Sequence, residues 1–315
     1  MTRILHASDF HGSDIVYRKF LGAAKLHKAD VVVIGGDITG KAMVPVIVQP
    51  DGSHEAYFFA TNHVARTKEE MDELLKQIAH VGFYAYPTDR REYEELKADS
   101  KKLDALFAKI MIERVTEWVR LAEQHFKGTN TKFYMMAGND DIYEVDDAIN
   151  SSDYVVNIEG KVVDVDEDHQ MINTGHTNMT PWQCPRDVPE EKLGEIIEKM
   201  TSQVKDMNRC IFDLHCPPFD TKLDQAPRLD EKMTYVHKGG QIEMVPVGST
   251  AVRKAIEKYQ PLLGLHGHIH EARGFDKIGR TLLINGGSEY AEGICRAVIV
   301  NIDRDKVKGY LFISG

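Results

Sequence analysis

Five short apolar runs along the chain share one ending. ILHASDFHG (4–12), VVVIGGDITG (31–40), FYMMAGNDD (133–141), CIFDLHCPP (210–218) and LLGLHGHIH (262–270) each run through β-branched, aromatic or large aliphatic residues and stop at Asp, His or Asn, mostly beside Gly. Runs of this length and composition predict buried strands. Helical spacing separates some of them. Ile15, Val16, Phe20, Ala23 and Leu26 make one face, and Leu193, Ile196, Ile197, Met200 and Val204 a second. Val252, Ile256 and Tyr259 make a third, with Ser249 or Thr250 as N-cap. Strands alternating with helices predict a layered α/β fold, in which ligands gather at the carboxyl ends of strands. Further strands are predicted between residues 155 and 173, on either side of Gly279-Arg280, and over residues 297–302 and 307–313. That is material for two sheets.

Residues 41 to about 130 interrupt this pattern. VPVIVQ, PDGS and HEAYFFA predict a hairpin turning at Pro50-Asp51-Gly52-Ser53. Thr67 and Glu70 form a capping box before a helix with Met71, Leu74, Leu75 and Ile78 inward. A longer helix is predicted from about Arg90 to Phe126, with an apolar stripe through Leu96, Leu103, Phe107, Ile110, Val115, Trp118 and Ala122. The insertion is read as packing on the main body. A lid over the active site and a seam for a homo-oligomer are the alternatives.

The 315 residues are 42% hydrophobic, enough for a substantial core, and we read residues 1–315 as one domain carrying the insertion. No stretch reads as a membrane span or a removable leader. Four separated cysteines without a CxxC pair fit a reducing cytoplasm. A net charge of −10 argues against a general nucleic-acid binder, while leaving room for a local positive site supplied by metal.

Taken singly, the polar strand ends have plain readings. Asp9 and His11 could cap a helix and decorate the surface, Asp37 could serve a turn, Asn139 could be a left-handed turn residue, and His215 before Pro217-Pro218 could orient a loop. Their order changes the picture. Asp9-x-His11, Gly36-Asp37, Gly138-Asn139, a lone His215 and Gly267-His268-x-His270 together resemble the signature of the calcineurin-like metallophosphoesterases. The stretches 174–182, KYQPLLGLHGHIHEARG and INGGSEYAEG are similar to the bacterial and archaeal branch called Icc-related phosphoesterases.

The resemblance implies a four-layer α-β-β-α sandwich of two mixed sheets flanked by helices, here with a mainly helical insertion. It implies two metals: one held by Asp9, His11, Asp37 and His270, the other by Asp37, Asn139, His215 and His268, with Asp37 bridging. Asp37, Asn139 and His268 then stand at the catalytic centre, and a bridging water or hydroxide is the nucleophile. Carboxylate, imidazole and amide donors suit Mn, Fe, Zn, Ni or Co better than calcium. Two divalent cations against two carboxylates leave about +2, a charge that suits phosphate. His6, His176, His266 and Cys216 receive no ligand role. Asp164-x-Asp166-x-Asp168 lacks the later glycine and glutamate of a calcium loop and is read as a polar hairpin turn.

The chain departs from the family where most members have His after Gly-Asn. Asp140 stands there, and two nearby cations favour its ionised form, so it is a poor proton donor to a leaving group. Asp140 and His176 are the candidates for that role. The expected activity is dinuclear metal-dependent phosphodiester hydrolysis of a small-molecule substrate, biased toward good leaving groups. The alternatives are a nuclease of the same chemistry, which the charge disfavours, and a weakly active metal-bound scaffold.

Overall fold

The computed structural model describes residues 1–315. Two six-stranded sheets form its centre. The first runs in the order Lys306–Ser314, Arg296–Asp303, Thr2–Ala7, Val31–Gly35, Lys132–Met136, Val155–Asn157. The second runs Gly274–Ile278, Thr281–Asn285, Leu263–His266, Cys210–Leu214, Gln170–Thr174, Lys161–Asp164. Both are mixed. Each has four adjacent parallel strands, with antiparallel strands at the margins.

Side-chain alternation along each strand builds the layers. Ile4, Val31, Val33 and Met136 of the first sheet meet Met171, Ile211, Leu263 and Leu265 of the second in one cluster between the sheets. The intervening residues Leu5, Val32, Ile34 and Met135 pack outward on the helices Asp14–Leu26 and Ser100–Phe126. On the far side, Ile172, Phe212 and Leu214 pack on the helices Glu190–Thr201 and Thr250–Tyr259. The result is the α-β-β-α sandwich that the resemblance implies.

The four-stranded sheet of the insertion runs Thr61–Ala65, His54–Phe58, Met43–Val48, Tyr84–Thr88. The first three make a meander. The fourth lies parallel to Met43–Val48 after the crossover helix Lys68–His80, whose Leu74 and Ile78 are buried on the sheet and whose capping box forms. Sequence reading found only the first hairpin here. The second turns at Phe59-Ala60, both at positive φ (49° and 56°), where tight hairpins usually carry Asn-Gly. Pro87 masked the fourth strand and is tolerated because that strand is an edge.

Two helical expectations need correction. The helix predicted over 90–126 is two, Arg90–Ala98 and Ser100–Phe126, because Asp99 is extended and its carboxylate accepts from the Lys102 amide at 3.2 Å as an N-cap. On the first helix the buried face is Val16, Tyr17, Phe20, Leu21 and Ala24, and Leu26 is exposed. The aromatic body of Tyr17 moved the face: it stacks on Trp118 at 4.3 Å and its hydroxyl donates to the Trp118 carbonyl at 2.6 Å. The Trp118 indole N–H donates to Asp14 at 3.1 Å, so the insertion's long helix is docked on the main body. Ser249 caps Thr250–Tyr259, and the 165–169 segment is the hairpin turn expected of it.

Candidate metal centre

Five parallel strands, three from one sheet and two from the other, end at one place. Beyond Ala7, Gly35, Met136, Leu214 and His266 the chain turns, and the next few residues supply Asp9, His11, Asp37, Asn139, His215, His268 and His270. The turns are sharp. Asp9, His11, Asp37 and His268 all have positive φ, between 42° and 66°. Left-handed backbone at non-glycine residues costs about 1–3 kcal/mol each and clusters at functional sites. Two glycines make the close approach sterically feasible. A Cβ on Gly138 would lie 2.2 Å from the Asp37 Oδ1, and one on Gly267 would lie 2.6 Å from the Asp9 Oδ2.

The donor atoms fall into two sets joined by a third. Those of Asp9, His11 and His270 lie within 4.8 Å of one another, as do those of Asp37, His215 and His268, and those of His11, Asp37 and Asp140 link the two. Asp37 lies between the sets: its Oδ2 is 3.7 Å from His11 Nε2 and 3.4 Å from His215 Nε2. His11 Nε2 and His270 Nε2 are 3.1 Å apart, and His270 Nε2 is 3.4 Å from the Asp9 Oδ1. Asp9, His11, Asp37, Asn139 and His215 are buried, whereas His268 and His270 line a cavity of about 940 Å³ together with Asp37 and Asn139.

The residues fit a pair of metals. His215 uses Nδ1 on the Gly35 carbonyl at 2.7 Å, which leaves Nε2 buried without a hydrogen-bond partner and aimed at Asp37. Asn139 uses its amide N–H on Asp187 at 3.0 Å, which leaves Oδ1 buried and unpartnered. Buried polar atoms without partners are costly, and these two are donors of the right type for a cation. Burial pushes the His11 and His268 pKa values down to about 3 and about 4, which keeps both neutral as ligands must be. Burial works against the Asp37 carboxylate too, but the neighbouring His215 overcomes it and holds Asp37 well below the usual range. Burial opposes protonation of His215 as well; Asp37 outweighs it and raises the pKa to about 10 in the metal-free protein, so a cation bound there would take the place of that proton. The donor set suits two divalent ions.

No family model matches the sequence. The uncharacterized protein MJ1162 of Methanocaldococcus jannaschii is 34% identical over 150 residues, which span 47% of this chain and 60% of that protein. Among solved structures, TT1561 of Thermus thermophilus aligns over 100% of this chain and 98% of its own at 13% identity, with a TM-score of 0.52. A dimetal phosphatase from Danio rerio aligns over 99% of this chain and 98% of its own at 9% identity, with a TM-score of 0.46. The chain shares the overall fold of TT1561.

Within that fold, six of the seven residues singled out as ligands fall in these sets, and Asn139 lines the same cavity. The plain readings fail on position: Ser13, not Asp9, is the helix N-cap, and His11 is wholly buried. Of the two candidates for the proton donor, Asp140 lies beside the cluster. Its carboxylate accepts from Lys41 Nζ at 2.7 Å and from the Cys184 thiol at 2.8 Å. His176 pairs with Glu159 at 3.1 Å and does not line the cavity. His6 pairs with Asp213 at 3.1 Å between the sheets, and His266 bonds the Leu214 carbonyl at 2.7 Å.

Four residues were missed. Asp141 accepts from the amides of Gly138, Ile38 and Thr39 at 2.6, 3.0 and 2.8 Å, tying two ligand loops together. Burial raises its pKa to about 6. Asp187 holds Asn139 and also accepts from the amides of Thr180 and Cys184. Lys41 and Cys184 fix Asp140. Only Asp141 had a signal in the sequence, as the acidic residue that ends Gly-Asn-Asp-Asp.

Proposed function

We propose that this protein is a dinuclear metal-dependent phosphoesterase that hydrolyses phosphodiesters, with Mn, Fe, Zn, Ni or Co as the metals. The observation that carries the reading is the meeting of six Asp and His donors in two sets with Asp37 between them, with unpartnered donor atoms on His215 and on the neighbouring Asn139. Two divalent cations held by these residues would supply an activated water at neutral pH and positive charge for the phosphoryl oxygens. The chain does the positioning. Asp9 is fixed by the His268 amide at 3.1 Å and by the Ser8 hydroxyl, and Asp37 by the Asp140 amide at 3.1 Å. His268 and His270 face the cavity, where the phosphate sits in this reading.

Asp140 shapes the expected specificity. A carboxylate that accepts from both an ammonium and a thiol is placed as an acceptor, not as a donor to the departing alcohol. General acid catalysis is typically worth about 10²–10⁴-fold, so aryl esters should turn over faster than alkyl esters by a margin of that order. The test is hydrolysis of bis(p-nitrophenyl) phosphate with Mn²⁺ or Ni²⁺, compared with Asp37→Ala. The reading requires metal-dependent turnover that the variant loses. Absence of turnover in protein that elemental analysis shows to hold two metals would favour the scaffold reading instead.

No helix is long and apolar enough to cross a membrane. The four cysteines are unpaired, which supports a cytoplasmic location.

A further inference from the structure

The cavity over the ligands is far larger than a phosphate needs, and most of its wall is apolar. At about 940 Å³ it lies near the upper end of small-molecule pockets, about 300–1,000 Å³. Three separate parts of the chain build the wall. Phe107 and Met111 come from the long helix of the insertion, Met179 and Trp182 from the loop after Thr177, and Leu229 and Val245 from the segment that follows the second sheet's Cys210–Leu214 strand. Met179 and Trp182 are 52% and 65% exposed, an arrangement that singly would mean little but here rims one opening.

Several polar groups of the wall are already committed. The Asn178 amide donates to the Val247 carbonyl at 3.3 Å and its oxygen accepts from the Cys216 thiol at 2.9 Å. The Thr180 hydroxyl donates to Asp187 at 2.5 Å. Arg228 pairs with Glu243 at 3.1 Å and Lys41 with Asp140 at 2.7 Å, while Asp104 and Glu271 line the cavity without an ion-pair partner. A nucleobase is recognised by hydrogen bonds to its edges, and a polynucleotide by free cations. The cations of this wall are paired and its unpaired charges are negative, and its uncommitted side-chain donors, the Tyr235 hydroxyl and the Trp182 indole N–H, belong to exposed residues.

We propose that the substrate is a phosphodiester in which one ester carries a large, lipid-like aliphatic chain, its phosphate at the metal ligands and that chain in this cavity, while the other, better leaving alcohol departs. The proposal rests on the phosphoesterase reading of the ligand cluster and adds the class of alcohol. Burial of one methylene is worth about 0.8 kcal/mol, or about fourfold in affinity, so chain length is a sensitive readout.

The experiment is calorimetric titration of the Mn²⁺-loaded protein with dodecylphosphonate and with ethylphosphonate, neither of which is hydrolysed. Dodecylphosphonate should bind at least about 100-fold more tightly. Met179→Asp and Leu229→Asp, on two different walls, should each reduce that preference about tenfold or more while metal content by elemental analysis stays at two per chain. Trp182 gives a second signal: its fluorescence should respond to dodecylphosphonate, and Trp182→Phe should abolish the response, since the other tryptophan, Trp118, is buried between the long helix and the main body. Equal affinities for the two phosphonates would overturn the inference, as would a preference that both Asp variants leave untouched. Either result leaves the phosphoesterase reading standing if bis(p-nitrophenyl) phosphate is still cleaved. Failure of that reading is distinguished by protein that takes up no metal and cleaves nothing.

Discussion

Asp37 has almost no freedom. It sits at φ 51° between two imidazoles, and Gly138 lies against it with no room for a methyl group. Gly138→Ala would put a carbon 2.2 Å from both the Asp37 amide nitrogen and its Oδ1, so the carboxylate or the loop must move. Displacement of about 1 Å at a reacting centre costs about 10²-fold, and we expect a loss of that order in kcat/KM for bis(p-nitrophenyl) phosphate. A circular dichroism spectrum like the wild type would show that the fold survives. Asp187 acts one step further out. Its carboxylate holds the Asn139 amide so that the oxygen points inward. Residues that orient metal ligands typically matter by about 10–100-fold in affinity. Asp187→Ala should weaken metal binding by about that factor in competition with a chelating dye, and an unchanged affinity would remove Asn139 orientation as its role.

Helices and strands raise a different question, which is what fastens the insertion. Its sheet has a small core of its own, but the long helix belongs to the main body through Trp118, Val115, Val119 and Ala122. Trp118 is fully buried, stacked on Tyr17 and hydrogen-bonded to Asp14. Trp118→Ala should therefore cost about 3–5 kcal/mol in urea unfolding, as large aromatic truncations in cores do. A loss below about 1 kcal/mol would mean that the helix is docked by other contacts. The other end of the same helix, at Phe107 and Met111, forms a cavity wall. The same helix therefore packs on the body at one end, as its sequence was read, and lines the cavity at the other.

Across the whole molecule, the ligand pocket joins the carboxyl ends of two sheets from distant parts of the chain. A cation that binds there binds the folded state, because the unfolded chain does not hold Asp9 near His268. Saturating metal at about 100 times its dissociation constant should stabilise the protein by about 2.7 kcal/mol per site. Thermal unfolding with and without Mn²⁺ measures this, and Asp37→Ala should remove most of the shift. An identical shift in that variant would place the stabilising metal elsewhere.

The strands and the ligands could be read from the chain because both are local. A buried strand declares itself by its apolar run, and a ligand at its end follows within a few residues, so Asp9, Asp37, Asn139, His215 and His268 each stood beside their strands. The second hairpin and the edge strand of the insertion could not be read, because Phe59-Ala60 and Pro87 take conformations or positions that only neighbouring strands make tolerable. The partners that aim the ligands were equally hidden. Asp187 reaches Asn139 across 48 positions and Lys41 reaches Asp140 across 99. The apolar cavity brings together the insertion, the 178–182 loop and the 226–247 segment, none of which carries a local mark of the others. Local patterning determined which atoms could bind metal, because strand and turn propensities act over a few residues. Packing decided how those atoms are aimed and what surrounds them, because both depend on contacts between segments far apart in the chain.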